Sequence, residues 1–202
     1  LKSHPLVTGT PFAESALQTQ NPNLTLLPGS RNFGDAETLS QTNKTETQRI
    51  QLQLNQELQN YDFVLFDCPP SLGHLTQLAL AASTEVLMPI QCEFFAMEGL
   101  VQMIEVIKKI MEQRPEKLEF GGILLTMYDA GLELTHEVDR EVREFFGDIV
   151  FKTVIPRDVA VSEAPSHGLP VIDYAPRSRG ARAYIELCME ILDHDNNPKC
   201  GL

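Results

Sequence analysis

The sequence predicts an α/β fold with an open, mostly parallel sheet and helices on both faces. Three observations lead there. Short apolar runs alternate with longer stretches of helical period, which is the pattern of repeated βαβ units. One run, Phe63 to Phe66 in Y-D-F-V-L-F-D-C-P-P-S-L-G, is too short to show a helical face and too uniformly apolar for a half-exposed strand. It reads as a central strand covered on both sides. An acid, Asp67, closes that run, and Pro69 and Pro70 stop any further pairing because they lack the amide proton that a ladder needs.

Composition sets the limits. A chain of 202 residues, 43% hydrophobic and 22% charged, fits a single domain over residues 1–202 with a sizeable core. No apolar run approaches ~18 residues and no signal-peptide pattern opens the chain, so a cytoplasmic protein is expected, without membrane attachment. The four cysteines Cys68, Cys92, Cys188 and Cys200 have no C-x-x-C spacing and read as reduced thiols rather than a zinc site or disulfide framework. A net charge of −12 repels polyanions on average, so DNA binding would need a local basic patch.

Taken in order, Leu1 to Gln20 is weakly patterned, with a short helix expected around Phe12 to Leu17, and the chain has no initiator methionine. Asn23 to Ser30 reads as a short strand closed by Pro28-Gly29. Arg31 to Thr45 is polar and loop-like. Ile50, Leu54, Leu58 and Tyr61 then recur at helical spacing, so Glu46 to Asn60 forms an amphipathic helix feeding the central strand. Ser71 to Gly73 turns the chain into a helix over Leu75 to Ala82, and Glu85 to Ile90 is the next strand, ending near Pro89.

Met97, Leu100, Val101, Ile104, Ile107 and Met111 mark a long helix whose apolar face belongs on the sheet, with Glu105 four residues before Lys109 on its outer side. Gly121 to Thr126 is another buried strand. Leu134, Val138, Val142 and Phe145 define a helix, with Asp139 and Arg143 spaced to pair on its outer face. Val150 to Ile155 reads as a strand stopped by Pro156, and Val171-Ile172 as the start of a last short one. Ala181, Tyr184, Ile185, Cys188, Ile191 and Leu192 mark the final helix, and residues 193–202 should fray.

Asp67 would sit at the carboxyl end of a parallel strand, where ligands bind in open α/β sheets. A hydrophobic strand, an acid and a sharp turn have the shape of a Walker B site, whose carboxylate helps hold the Mg²⁺ of a bound nucleotide. The ordinary alternative is a strand-end carboxylate. The wider context favours the site: D-C-P-P-S-L-G-H-L-T, Q-C-E-F-F-A-M-E-G-L, L-L-T-M-Y-D and I-P-R-D-V-A-V-S-E-A-P-S-H-G-L-P-V-I-D-Y together resemble the ParA/Soj family of chromosome- and plasmid-partitioning ATPases, in order from about Asn23 to Leu192. The resemblance implies a deviant-Walker P-loop NTPase fold of the AAA type.

Carried over residue by residue, the resemblance makes Asp67 the Walker B acid, associated with Mg through water, and Pro69 to Gly73 the segment that responds to nucleotide state. It puts Met127, Pro156 and Asp158 at the adenine, although strand termination and core packing would explain Met127 and Pro156 equally well. Glu93, Phe95 and Glu98 match the family's nucleotide-dimer region, or else are solvated loop positions. His167 in P-S-H-G has no serine or acid arrangement beside it in the sequence and reads as a loop histidine. In complete form such a protein binds ATP and Mg, forms an ATP-dependent homodimer, binds DNA nonspecifically in association with the nucleoid, and is stimulated by a ParB-like centromere-binding partner.

Two departures matter. The family's K-G-G-V-G-K-T-[ST] phosphate loop and its D-x-D-P-Q-x-N signature are missing, and no Gly-Lys pair occurs anywhere. The chain therefore reads as the C-terminal portion of a ParA-type ATPase domain, N-terminally truncated: unable to hydrolyse ATP alone, because phosphoryl transfer depends on positioning and charge stabilisation, and poorly soluble without the missing part, because a vacant sheet position exposes apolar surface. Gly131 and Ala160 stand where many relatives carry arginines of a DNA-binding surface. Two lost phosphate contacts would lower the salt dependence by roughly two units of slope. Lys152, Arg157, Arg177, Arg179 and Arg182 remain as contributors, or as ordinary surface charge. The alternatives are a non-catalytic interaction protein derived from such an ATPase and a MinD-like division-site regulator. The polar, acidic tail speaks against the latter's membrane helix.

Overall fold

The computed structural model describes residues 5–29, 44–69, 73–112 and 118–196. The chain divides into two compact units, Leu1–Thr84 and Glu85–Leu202.

In the first unit a single helical turn, α1 (Pro5–Thr8), ends at Gly9, whose φ of 73° supplies the left-handed turn that L side chains rarely adopt. Phe12 is buried in a 3-10 turn (Phe12–Glu14), where a longer helix is expected from the sequence. The chain leaves that turn directly for β1 (Leu17–Gln18), which pairs antiparallel with β2 (Thr25–Leu26). The strand expected over Asn23 to Ser30 thus shrinks to two residues. Its hairpin is held by side chains that cap the loop, the Gln18 amide and Thr19 hydroxyl both donating to the Leu24 carbonyl. Residues 30–43 lie outside the described ones, and with them most of the polar loop.

Helix α2 (Lys44–Glu57) buries Ile50 and Gln53. Gln53 Nε2 donates to the Thr10 carbonyl at 2.7 Å, and Glu57 Oε2 accepts the Phe12 amide at 2.5 Å, so residues four apart on α2 clamp the chain before it. Helix α3 (His74–Ala82) follows Gly73 and buries Thr76 and Leu80.

Between α2 and α3 the expected central strand is absent. Residues 63–69 take no regular structure, and Leu65 is 91% exposed, with Phe63 and Val64 also exposed. The reason is pairing: among the described residues no strand lies beside this run to satisfy its amides, and an apolar sequence alone does not make a buried strand. Residues 70–72 of the expected turn lie outside the described ones.

The second unit holds a parallel pair, β3 (Glu85–Gln91) beside β4 (Glu119–Thr126), in register Met88↔Ile123 through Gln91↔Thr126. A shift between Val86 and Leu87 accommodates Gly121 as the extra residue, and Gly122 pairs with Leu87. Gly122 has φ 148°, and a Cβ there would meet the Phe151 ring at 2.6 Å, so only glycine fits. The crossover α4 (Ala96–Glu112) packs on β3 and on α5 (Glu133–Phe146), burying Leu100 and Ile107 as the helical spacing predicts. Parallel strands require such a crossover.

Residues 150–157 run parallel along the other edge of β4, but as two isolated bridges, Ile123↔Val150 and Tyr128↔Pro156, rather than the continuous strand expected over Val150 to Ile155. Its amides are diverted in the middle. Glu190 takes the Lys152 and Thr153 N–H groups at 2.7 and 2.9 Å, and a carboxylate so placed replaces ladder bonds.

Then come α6 (Val159–Glu163), a 3-10 turn (Ala164–His167), α7 (Val171–Tyr174) and α8 (Arg179–Asn196). Val171-Ile172 is therefore helical, not a strand, because the Pro170 carbonyl accepts the Asp173 and Tyr174 amides and winds the chain into a turn. Helix α8 continues to Asn196, past the expected fraying point at Asp193, and residues 197–202 lie outside the described ones.

The core follows from the pleat. Leu124 packs with Phe151, Ile155, Ala183 and Leu187, which puts α8 on one face of β4; Ile123 and Leu125, both 0% exposed, turn to the other. A second cluster joins Ala164, Val171 and Ala181.

Candidate functional site

The carboxyl ends of β3, β4 and the 150–157 segment meet at one edge of the sheet. Beyond Gln91 the Cys92 amide still donates to the Thr126 carbonyl at 3.1 Å, and Thr126 Oγ1 donates to the Ile90 carbonyl at 3.0 Å. Met127 then takes φ 53°, the one positive φ at a non-glycine residue among those described. The kink is held on its far side too: Tyr128 donates its amide to the Ile155 carbonyl (3.0 Å) and accepts that of Arg157 (2.8 Å). Met127 and Pro156 are thereby brought to the same edge, both half-buried.

Asp158, the next expected site residue, uses its carboxylate structurally. Oδ1 accepts the Ala160 amide (2.9 Å) at the start of α6, and Oδ2 accepts the Gly180 amide (2.8 Å) in the first turn of α8. Those two N–H groups, Gly180's foremost, hold its pKa below the usual carboxylate range. A Cβ on Gly180 would meet Val161 at 2.2 Å, so the close approach of α8 to α6 requires glycine.

A polar chain lies over the same edge. Tyr128 OH donates to Asp139 Oδ2 (3.2 Å), Asp139 Oδ1 pairs with Arg143 Nε (2.6 Å), and Arg143 Nη1 donates to the Phe151 carbonyl (3.0 Å). The pair expected on the outer face of α5 is therefore turned partly inward. His136 Nε2 lies 3.0 Å from the Ala130 carbonyl, which can only accept, so this nitrogen carries the proton, and Nδ1 lies 3.4 Å from Tyr128 OH. Burial, then the Asp139 charge, pushes the Tyr128 hydroxyl up. Burial foremost, with the same carboxylate adding and Arg143 opposing, pushes the Cys92 thiol up to about 11. Only the Asp139–Arg143 spacing announced this chain in the sequence; Tyr128 and His136 gave no signal.

Asp67, in the first unit, is exposed, and among the described residues no three His, Cys, Asp or Glu side chains cluster as metal ligands would. A lone exposed carboxylate fits Mg²⁺ held largely by waters and phosphates, as this ion prefers, and does not fit a dedicated protein cage. Glu93, Phe95 and Glu98 are exposed around the start of α4, where Phe94 and Phe95 meet edge to face at 5.2 Å. His167 is an exposed loop histidine stacked on Tyr174 at 4.8 Å. Arg157, Arg177, Arg179, Arg182 and Lys152 are exposed. No helix among the described residues is long and apolar enough to cross a membrane.

A family described as AAA domain matches residues 3–120. Sporulation initiation inhibitor protein Soj of Bacillus subtilis is 44% identical over 169 residues, covering 84% of this chain and 67% of that protein. Chromosome-partitioning ATPase Soj of Treponema pallidum is 41% identical over 197 residues, covering 96% and 78%. The chain belongs to the ParA/Soj family of chromosome-partitioning ATPases. Among solved structures, cobyrinic acid a,c-diamide synthase of Mycobacterium smegmatis, with bound ATP analog and magnesium, is similar at a TM-score of 0.79 and 26% identity, over 98% of this chain and 74% of that one. The ParA/Soj chain thus has the P-loop NTPase type of α/β fold expected from its sequence.

Proposed function

We propose that the second unit of this chain supplies a base-binding edge for the ATP of a chromosome- or plasmid-partitioning ATPase, and that Asp67 in the first unit is a magnesium-associated carboxylate. The observation that carries the reading is the shared edge at which the Tyr128–Pro156 bridge joins the end of β4 to the start of α6. Crevices at the carboxyl ends of parallel strands are where open α/β sheets bind ligands. Met127 and Pro156 flank the adenine. Asp158 shapes the edge by holding α6 and α8, and its carboxylate, already engaged by two amides, does not reach for the base. Asp67 holds Mg²⁺ through water, and residues 1–202 act as one ATPase domain. When bound, Mg·ATP supplies the phosphoryl group, with the metal offsetting charge on its oxygens.

In this reading the protein is cytoplasmic and dimerises with ATP through the region of Glu93, Phe95 and Glu98. It responds to a ParB-like partner and meets nucleoid DNA through Lys152, Arg157, Arg177, Arg179 and Arg182. Gly131 and Ala160 add no charge there, so the salt dependence is shallow. The 202 residues contain no Gly-Lys pair, so they do not by themselves grip the phosphates.

The test compares Mg·ATP and Mg·GTP binding and turnover by the 202-residue chain and by the same chain fused in frame behind a ParA-type phosphate loop. The expected result is no turnover by the 202 residues. A polypeptide carrying the loop should prefer ATP and lose Mg-dependent binding in its Asp67→Ala variant. Turnover by the 202 residues would overturn the claim about the phosphates, and equal affinity for ATP and GTP would overturn the base-binding edge.

A further inference from the structure

The Met127 turn carries an unusual conformation that nothing local in the sequence requires. A methionine at φ 53° occupies a region that non-glycine residues other than Asn, Asp and His seldom enter, and such a conformation persists only where its surroundings over-determine it. The main chain is fixed on both sides, by Cys92 and Ile90 before it and by Ile155 and Arg157 after it. These bonds locate the turn within the sheet. They do not fix it against α5.

That task falls to side chains. Tyr128 reaches α5 through its hydroxyl, which has one proton and two acceptors within range, Asp139 Oδ2 at 3.2 Å and His136 Nδ1 at 3.4 Å. Two residues beyond Tyr128, the Ala130 carbonyl accepts from His136 Nε2. The Tyr128 and His136 rings also meet edge to face at 6.0 Å. Asp139 is itself held by Arg143, whose Nη1 grips the Phe151 carbonyl on the far side of β4. One carboxylate therefore links the end of β4, the body of α5 and the segment that carries Pro156. Asp139 lies partly shielded from water, where a charge-assisted hydrogen bond is stronger than at a fully exposed site.

We propose that Tyr128, His136, Asp139 and Arg143 form a positioning brace that holds Met127 in its left-handed turn and so sets the preference of this edge for one nucleotide base over another. The inference rests on the base-binding reading of the edge, and its mechanical half can be judged without it. Removing the Tyr128 hydroxyl deletes the direct bond from the turn to Asp139 while leaving the ring, the Ala130–His136 bond, the strands and the main-chain bonds in place. The turn then samples other conformations, and the edge loses discrimination before it loses affinity.

Two measurements on Tyr128→Phe, Asp139→Ala and the double variant test this. The first is amide exchange at Tyr128 and Arg157 in the nucleotide-free chain. Each single variant should speed exchange about 5- to 10-fold, with the double variant no faster than the faster single, because both remove one connection. Asp139→Asn, which keeps an acceptor for the hydroxyl, should restore most of the protection at Tyr128. The second is the ratio of ATP to GTP affinity in a polypeptide that binds Mg·ATP, which should fall at least threefold in Tyr128→Phe, with ATP affinity itself changed less than the ratio. Unchanged exchange in Tyr128→Phe, or fully additive effects in the double variant, would overturn the brace. A preference for ATP in the parent that survives Tyr128→Phe would overturn its role in base selection. No preference in the parent would sink the base-binding reading instead, and exchange alone would then decide the brace. Thermal unfolding by circular dichroism checks that each variant remains folded.

Discussion

Ile123 to Leu125 and Phe63 to Leu65 are three-residue apolar runs of similar size and chemistry, and they lie at opposite extremes of exposure to water. Ile123 and Leu125 are fully buried, whereas Leu65 is 91% exposed. Hydrophobicity does not separate them; hydrogen-bonding neighbours do. β4 has β3 along one side and the 150–157 segment along the other, so its main-chain groups are paired before its side chains meet α8 and the opposite face. Residues 63–69 have no ladder partner among the described residues, and burying them there would strand amides and carbonyls without bonds.

The largest expected effect follows at once. Leu125→Ala removes a fully buried side chain from a position packed against both neighbours and should cost about 2–5 kcal/mol. With no tryptophan in the chain, urea unfolding followed by far-ultraviolet circular dichroism is the suitable measurement. A loss below about 1 kcal/mol would mean that this face of β4 repacks freely, and the contrast between the two runs would dissolve.

A smaller effect should come from the group that keeps β4 covered. Asp158 ties the start of α6 to the start of α8, and α8 carries Ala183 and Leu187 onto Leu124. Asp158→Ala deletes both caps and should cost roughly 1–3 kcal/mol at neutral pH. The pH dependence has a definite sign. Because the folded carboxyl is held below its unfolded value, the stabilisation is complete above about pH 4 and drains away as pH falls through the lower folded value. Parent and variant should therefore converge in acid. Parallel stability curves from pH 7 to pH 2 would show that the two amides do not draw on the ionised form.

The same contrast explains what was legible in the sequence. β3, α4, β4, α5 and α8 could be read because their period and apolar content agree with their surroundings. The 63–66 run misled because a local pattern cannot report whether neighbours exist. Val150 to Ile155 was half legible: its apolar residues do line β4, but Glu190, nearly 40 residues on, takes two of its amides, and no local rule anticipates that. Val171-Ile172 was expected to begin a strand, yet the Pro170 carbonyl winds it into a helical turn. At the candidate site, motif resemblance pointed to Met127 and Pro156, which do share an edge. The positive φ of Met127 and the tyrosine that braces it are products of tertiary contact. Asp158 was legible as a residue of interest and not as a double cap, since Gly180 lies 22 residues away.

The smallest expected change in stability is also the sharpest probe of the comparison. Leu65→Ser in the 202-residue chain replaces an apolar side chain that is almost wholly in water, so no burial is lost and unfolding should shift by no more than about 0.5 kcal/mol. Solubility should nevertheless rise, because Phe63, Val64 and Leu65 together present an apolar strip whose main chain has no ladder partner among the described residues, which favours association between copies. The concentration at which the chain begins to sediment, compared for parent and variant, measures this directly. Equal solubility with unchanged stability would show that the strip is masked in solution. A loss of about 2 kcal/mol or more would show that Leu65 is packed as Leu125 is, and then neighbours for residues 63–69 would have to be sought within this same chain.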